Sequence, residues 1–324
     1  MIPSLTRRPL LTGLSALGAF GLVSGCTPAP ASLRIGTYKG QAQEWITAAG
    51  QAKTPYKLAW SEFVSGNLIT EAILAGALDA GSMSEIPPIF VAPKKPALKL
   101  VAVLRGDVNN QVVLVPAHSE IASIRDLKGK RIGYVKSTTS HYILLQILKE
   151  LGIGWGDVSP VALSPQDGRA AFERGSLDAW VIFGPAGFLA RQATGARILT
   201  TGLGRLSGNY VIAASDAAIA DSKAHAALAD FLVRLQHVYA WTNTHPEEAA
   251  ALAGRATGLP ASVYLEQHKE RSAPTELVAV DAAAVASIQN VADTFAEAHL
   301  IPGHVDTSAL WSHAFDEVLL NKAS

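Results

Sequence analysis

Apolar residues along the chain alternate between short unbroken runs and longer runs at three-to-four-residue spacing. Leu33-Arg34-Ile35-Gly36 reads as a first strand that ends at Thr37-Tyr38-Lys39-Gly40. A helix over Ala42 to Ala52 and a strand over Tyr56 to Phe63 follow. Ser65-Gly66-Asn67 opens a second helix, which sets Leu68, Ile69, Ala72, Ile73 and Leu74 on one face. Gly76 ends it, and Leu78-Asp79-Ala80-Gly81 begins the next strand. Further strands are predicted over Leu98 to Leu104, Gln111 to Val115, Arg131 to Val135 and Asn209 to Ala214. From Ser222 onward the chain is Ala-rich and helical, with breaks at His245-Pro246, Leu259-Pro260 and Ile301-Pro302. The fold class is therefore α/β, with mostly parallel sheets covered by helices on both faces.

One stretch interrupts this pattern. After the strand at Arg131, four consecutive hydroxyl residues, Ser137-Thr138-Thr139-Ser140, lead into His141 and a helix whose Ile143, Leu144, Ile147, Leu148 and Leu151 repeat at helical spacing. A single Ser or Thr at a helix start usually only caps it. A run of them at a strand-to-helix turn gathers hydroxyls and unpaired backbone N–H groups at the positive end of the helix dipole, which suits a small oxyanion.

The chain also echoes itself. Gly76-Ala77-Leu78-Asp79-Ala80 is followed by Gly81-Ser82-Met83-Ser84-Glu85-Ile86-Pro87, and Gly175-Ser176-Leu177-Asp178-Ala179 by Trp180-Val181-Ile182-Phe183-Gly184-Pro185. Each copy offers a turn at the carboxyl end of a strand, the edge where open α/β sheets bind ligands. The same phrase is also a common way to join a helix to a strand. The pattern divides the chain into an export segment and tether (1–32), a first lobe from 33–112 and 207–324, and an inserted second lobe (113–206). Two chain crossings then form a hinge suited to closing on a small ligand.

Composition narrows the function. Lys plus Arg and Asp plus Glu both number 27, so no basic stripe points to nucleic acid. The single cysteine, Cys26, excludes a disulfide framework, and the nine histidines lack metal-type spacing, so neither metal nor cofactor is expected. At the N-terminus, Arg7-Arg8 precede an apolar run from Leu10 to Val23, which has signal-peptide length. Val23-Ser24-Gly25-Cys26 resembles a bacterial lipobox, which implies lipidation of Cys26. Thr6-Arg7-Arg8-Pro9-Leu10-Leu11 loosely resembles a twin-arginine export signal. The mature chain is expected outside the cytoplasm, held to a membrane as a monomer.

Several motifs together resemble the aliphatic-sulfonate-binding proteins of ABC importers, a branch that includes taurine- and nitrate-type binders. They are Leu33-Arg34-Ile35-Gly36 with Lys39-Gly40, Gly81-Ser82 with Ile86-Pro87-Pro88-Ile89-Phe90, Asp126-Leu127-Lys128-Gly129-Lys130, Ser140-His141, Arg169-Ala170-Ala171-Phe172 and Leu177-Asp178-Ala179-Trp180. The resemblance implies a type II periplasmic-binding-protein fold, two Rossmann-like lobes, that delivers an oxyanion-bearing solute to an inner-membrane permease. Carried over, ligand contacts fall on Tyr38 and Lys39; on Ser82, Met83, Ser84 and Glu85; on Ser137, Thr138, Thr139, Ser140 and His141; on Phe183 and Gly184; and on Asn209. Relatives usually carry Trp-Asp-Pro at Phe183-Gly184-Pro185, so Gly184 implies room for a bulkier tail. Glu85 adds a carboxylate beside the anion, to be paired with Lys39 or with a cationic group of the ligand.

The same fold also hosts desulfinases, which use a cleft cysteine. Here the only cysteine precedes the fold, and His141 has no acidic partner placed to orient it. A binding protein, not an enzyme, is the expectation; taurine, nitrate or a sulfate ester remain alternative ligands.

Overall fold

The computed structural model describes residues 32–321, so the export segment and Cys26 lie outside the described residues. The strands are β1 (Ser32–Tyr38), β2 (Lys57–Phe63), β3 (Ala80–Ser84), β4 (Leu98–Arg105), β5 (Gln111–Val115), β6 (Arg131–Tyr134), β7 (Ser159–Ala162), β8 (Ala179–Phe183), β9 (Arg197–Thr201), β10 (Asn209–Ser215) and β11 (Glu276–Val278). The first six helices are α1 (Ala42–Ala48), α2 (Gly66–Leu74), α3 (Pro87–Val91), α4 (Thr139–Leu151), α5 (Pro165–Glu173) and α6 (Pro185–Thr194). The others are α7 (Asp216–Ala220), α8 (Ser222–Thr244), α9 (Pro246–Thr257), α10 (Ala261–Glu270), α11 (Ala282–Glu297) and α12 (Asp316–Leu320).

Two sheets result, ordered β11-β4-β10-β3-β1-β2 and β7-β6-β8-β5-β9. In each, three strands toward one edge are parallel, β3, β1 and β2 in the first and β8, β6 and β7 in the second, and a returning strand, β10 or β5, runs antiparallel to both its neighbours. The first sheet packs α8 on one face, through Leu228, Phe231, Leu232 and Leu235 against Leu33 and Ile35. Its other face takes α2, α3 and α11. The second sheet packs α4 on one face, and Phe172 of α5 and Ala190 of α6 on the other.

The echo seen in the sequence has a physical origin at the amino ends of the strands. The Arg34 backbone N–H and its guanidinium Nη2 donate to the two oxygens of Asp79 at 2.7 and 2.6 Å, and the Asp79 N–H donates back to the Arg34 carbonyl at 2.8 Å. Arg131 and Asp178 repeat the arrangement, at 2.7, 2.8 and 2.9 Å. Leu78 and Leu177, one residue earlier, fill the spaces where Gly36 and Gly133 have no side chain. Each sheet is thus closed by the same clasp, Arg-Ile-Gly on one strand with Leu-Asp before the next.

The chain crosses between sheets twice, after β4 and before β10. There the Gly106 N–H donates to the Gly208 carbonyl at 3.0 Å. Gly208 sits at φ 80°, and a Cβ on it would lie 3.0 Å from the Gly106 oxygen, so only glycine lets the crossings run this close.

Some local expectations are corrected. The first helix stops at Ala48 rather than Ala52, because Gly50 turns left-handed and its N–H bonds back to Thr47. In α2, Leu68 and Leu74 are exposed, and Ile69, Thr70 and Ile73 form the buried face instead. The Thr70 hydroxyl is accommodated there by donating to the Gly66 carbonyl. The edge strand β11, three residues long, was not foreseen in the helical C-terminal region.

Candidate ligand-binding site

A cavity of about 550 Å³ lies between the carboxyl ends of β1, β3 and β8 and the helices that follow them. The first residues of α2, α3, α4, α5, α6 and α9 all line it, so the positive ends of six helices converge on one volume. Its wall also carries aromatic and apolar surface from Trp45, Tyr210, Tyr239, Leu259 and Tyr264.

The start of α4 supplies the polar pole. Thr138 is the N-cap residue, but its hydroxyl donates backward to the Val135 carbonyl at 2.7 Å and caps no helix N–H. The first N–H groups of α4 are therefore left without a side-chain acceptor. The Thr139 hydroxyl donates to Gln111 Oε1 at 2.5 Å, and Gln111 Nε2 donates to the Tyr210 hydroxyl at 3.2 Å. Tyr210 in turn donates to the Asp107 carbonyl at 2.8 Å. This chain fixes Thr139, Gln111 and Tyr210, all of which line the cavity. Burial pushes the phenols of Tyr38 and Tyr210 well up, so both stay neutral.

The hydroxyl run divides its labour. Thr138 and Thr139 line the cavity, whereas Ser137, Ser140 and His141 do not. The wholly buried Ser140 hydroxyl accepts from Val135 N at 3.0 Å and donates to the Val181 carbonyl at 2.6 Å, bolting the turn to β8. Ser137 adopts a left-handed φ of 59°, and its N–H donates to His141 Nδ1 at 3.3 Å. His141 is enclosed by Phe90, Tyr134, Trp155 and Phe295, with ring centroids 4.8–5.9 Å away. Burial, and next Lys136, push its imidazole down to about 4, so it is neutral at ordinary pH.

Glu85 is also placed away from the cavity, which corrects the expectation of a carboxylate facing the ligand or Lys39. It is 3% exposed, and its Oε1 accepts from the Ser207 hydroxyl at 2.6 Å and the Ser287 hydroxyl at 3.0 Å. Glu85 thereby ties the second crossing to α11. Oε2 has no partner, and burial pushes the carboxyl up to about 7. Asn209 lies beside Glu85 and outside the lining, while its neighbour Tyr210 is inside. Tyr38, Lys39, Ser82, Met83, Ser84, Phe183 and Gly184 do line the cavity, Lys39 at an exposed position. Gly184 holds φ 62°, and a Cβ there would meet nothing within 4 Å.

Residues 63–249 match the NMT1/THI5 like family model. Over 301 residues the chain is 33% identical to an aliphatic sulfonates-binding protein of Escherichia coli (strain K12), covering 91% of this chain and 92% of that one. The chain belongs to the aliphatic-sulfonate-binding family. Its fold is that of the alkanesulfonate-binding protein SsuA from Xanthomonas axonopodis pv. citri, solved with MOPS bound, at TM-score 0.78 and 28% identity over 87% of this chain and 99% of that chain. The desulfurization enzyme DSZB shares the fold alone, with TM-score 0.63 and 18% identity over 90% of this chain and 99% of that chain.

Within this sulfonate-binding scaffold, several cavity residues escaped the sequence reading. Gln111 had a visible signal, being a polar residue at the head of the otherwise apolar strand Gln-Val-Val-Leu-Val. Trp45 reads as core from its helical position. It is instead half-buried at the cavity, edge-on to Tyr239 at 6.5 Å, with Nε1 donating to the Ala249 carbonyl at 3.1 Å. His268, Arg271 and Thr275 come from the C-terminal region, where composition gave no pointer. Among the described residues no cluster of His, Cys, Asp or Glu could hold a metal, and no helix is long and apolar enough to cross a membrane.

Proposed function

We propose that the protein is the substrate-binding lipoprotein of an ABC importer, which captures an organosulfonate between its lobes and delivers it to an inner-membrane permease. The observation that carries this reading is the uncapped start of α4 opening into a wide, partly apolar cavity. The N–H groups there suit sulfonate oxygens, and the Thr138 and Thr139 turn fixes their direction. Three charge-assisted hydrogen bonds at about 1.5–3 kcal/mol each fall near the 8 kcal/mol or so of micromolar binding, before ordering costs. Apolar contact from Tyr38, Met83 and Phe183 to the organic part supplies the rest.

The lobes, 33–112 with 207–324 and the inserted 113–206, close about the Gly106–Gly208 crossings. The chain is exported and held at the outer face of a membrane through lipidated Cys26. Turnover is not part of this reading, since the only cysteine of the chain is Cys26. A second reading within the class is a taurine, nitrate or sulfate-ester binder, and the breadth of the cavity favours larger sulfonates over nitrate.

Calorimetric titration of the purified protein with alkyl and aryl sulfonates, taurine, nitrate, sulfate and a sulfate ester tests the assignment. Saturable binding of a sulfonate without product formation is the expected result. Flat titrations across all the sulfonates would overturn it.

A further inference from the structure

The C-terminal wall of the cavity carries a cation that the sulfonate pole does not use. Arg271, just after α10, lines the cavity with His268 and Tyr264. One amine of its guanidinium is fixed: Nη1 donates to Asn243 Oδ1 at 2.7 Å and lies 3.2 Å from His268 Nδ1. Asn243 is itself held by donating to the Thr275 carbonyl at 2.7 Å. Nη2 and Nε have no hydrogen-bond partner among the described residues, and no carboxylate pairs with Arg271 there.

Among the residues lining the cavity the carboxylate is Asp107, which is already engaged. Its Oδ1 accepts from Ser272 N at 2.8 Å, Ser272 Oγ at 3.0 Å and Asn109 N at 2.8 Å. Its Oδ2 accepts from Asn110 N at 3.2 Å. Glu85 faces Ser207 and Ser287, outside the cavity. An ammonium on the ligand's tail would thus find one carboxylate in the lining, Asp107, already accepting four hydrogen bonds, and would meet a guanidinium that no carboxylate pairs. A tail carrying a carboxylate or another acceptor would find two donors in a planar fork.

We propose that Arg271 is a specificity-determining residue, which makes this site prefer sulfonates whose tail ends in an anionic or acceptor group over those ending in an ammonium. This rests on the sulfonate reading above and names the tail chemistry within it. The order of preference is acceptor-ended, then plain alkyl, then ammonium-ended.

Hexanesulfonate, sulfohexanoate and aminohexanesulfonate, titrated into the purified protein, its Arg271→Gln variant and its Arg271→Lys variant, test the proposal. Sulfohexanoate should bind the wild type about tenfold tighter than hexanesulfonate, the gain of one charge-assisted contact after its desolvation cost, and aminohexanesulfonate should bind more weakly than either. Arg271→Gln should erase the ratio between the acid and the alkane, and Arg271→Lys should keep part of it. Equal affinity for the three ligands in the wild type, or a ratio unchanged in Arg271→Gln, would overturn the role of Arg271 while hexanesulfonate binding upholds the sulfonate assignment. Absence of binding by all three would overturn both.

Discussion

Two buried ionisable residues, Glu85 and His141, pull stability in opposite directions with pH. Glu85 has its folded value raised from 4.5 to about 7, so its contribution is complete below pH 4.5 and lost as pH rises through 7. His141 has its folded value lowered from 6.5 to about 4, so its contribution is complete above pH 6.5 and lost as pH falls toward 4. Between pH 4.5 and 6.5 the two slopes offset each other, and the wild type should show a flat profile there. Glu85→Gln keeps an oxygen for Ser207 and Ser287 but removes the titration. Denaturant unfolding across pH should show the variant gaining on the wild type by up to about 3 kcal/mol between pH 4.5 and 7. Parallel profiles would show that the carboxyl is not held neutral. The sequence displayed both residues but not their side. Glu85 ends a strand that points into the cavity, and His141 follows the hydroxyl run. Which way each side chain turns depends on α11 and on an aromatic cage drawn from Phe90, Tyr134, Trp155 and Phe295, distant in sequence.

At the scale of elements, the strand-helix alternation was legible because strands such as β5 and β8 are nearly unbroken apolar runs and helices such as α4, α6 and α9 end at a glycine. The Gly-x-Leu-Asp-Ala echo was legible as repetition, but its role was not. It marks the clasp at the amino ends of the strands, and the Arg-Ile-Gly that completes it recurs in plain view at Arg34 and Arg131. Asp79→Ala and Asp178→Ala should each lower unfolding free energy by about 1–2 kcal/mol, since a strand N–H and a guanidinium lose their acceptor together. Ligand affinity should stay unchanged in both, because the cavity lies at the opposite ends of the same strands. A loss of affinity measured by calorimetry, with stability intact, would contradict this division. The C-terminal wall was the least legible part. Trp45 and Tyr239 sit in ordinary helical patterns and Arg271 just after one, and the packing of α9 against α1 and of α10 against α9 brings them to the cavity.

For the molecule as a whole, the two sheets are stiffened by matching clasps at one end and share a cavity at the other. The crossings between them are held by the short contact of Gly106 with Gly208 and by Glu85 through Ser207. A main-chain amide bonded across the two crossings is also a clock. If the lobes close about these crossings as proposed, parting Gly106 from Gly208 frees that one proton to trade with solvent, and its deuterium uptake tracks how much of the time the contact is open. Saturating sulfonate should slow uptake on the peptide holding Gly106 far more than on β1 or β6. The isotope would then report how firmly a bound sulfonate holds the two crossings together.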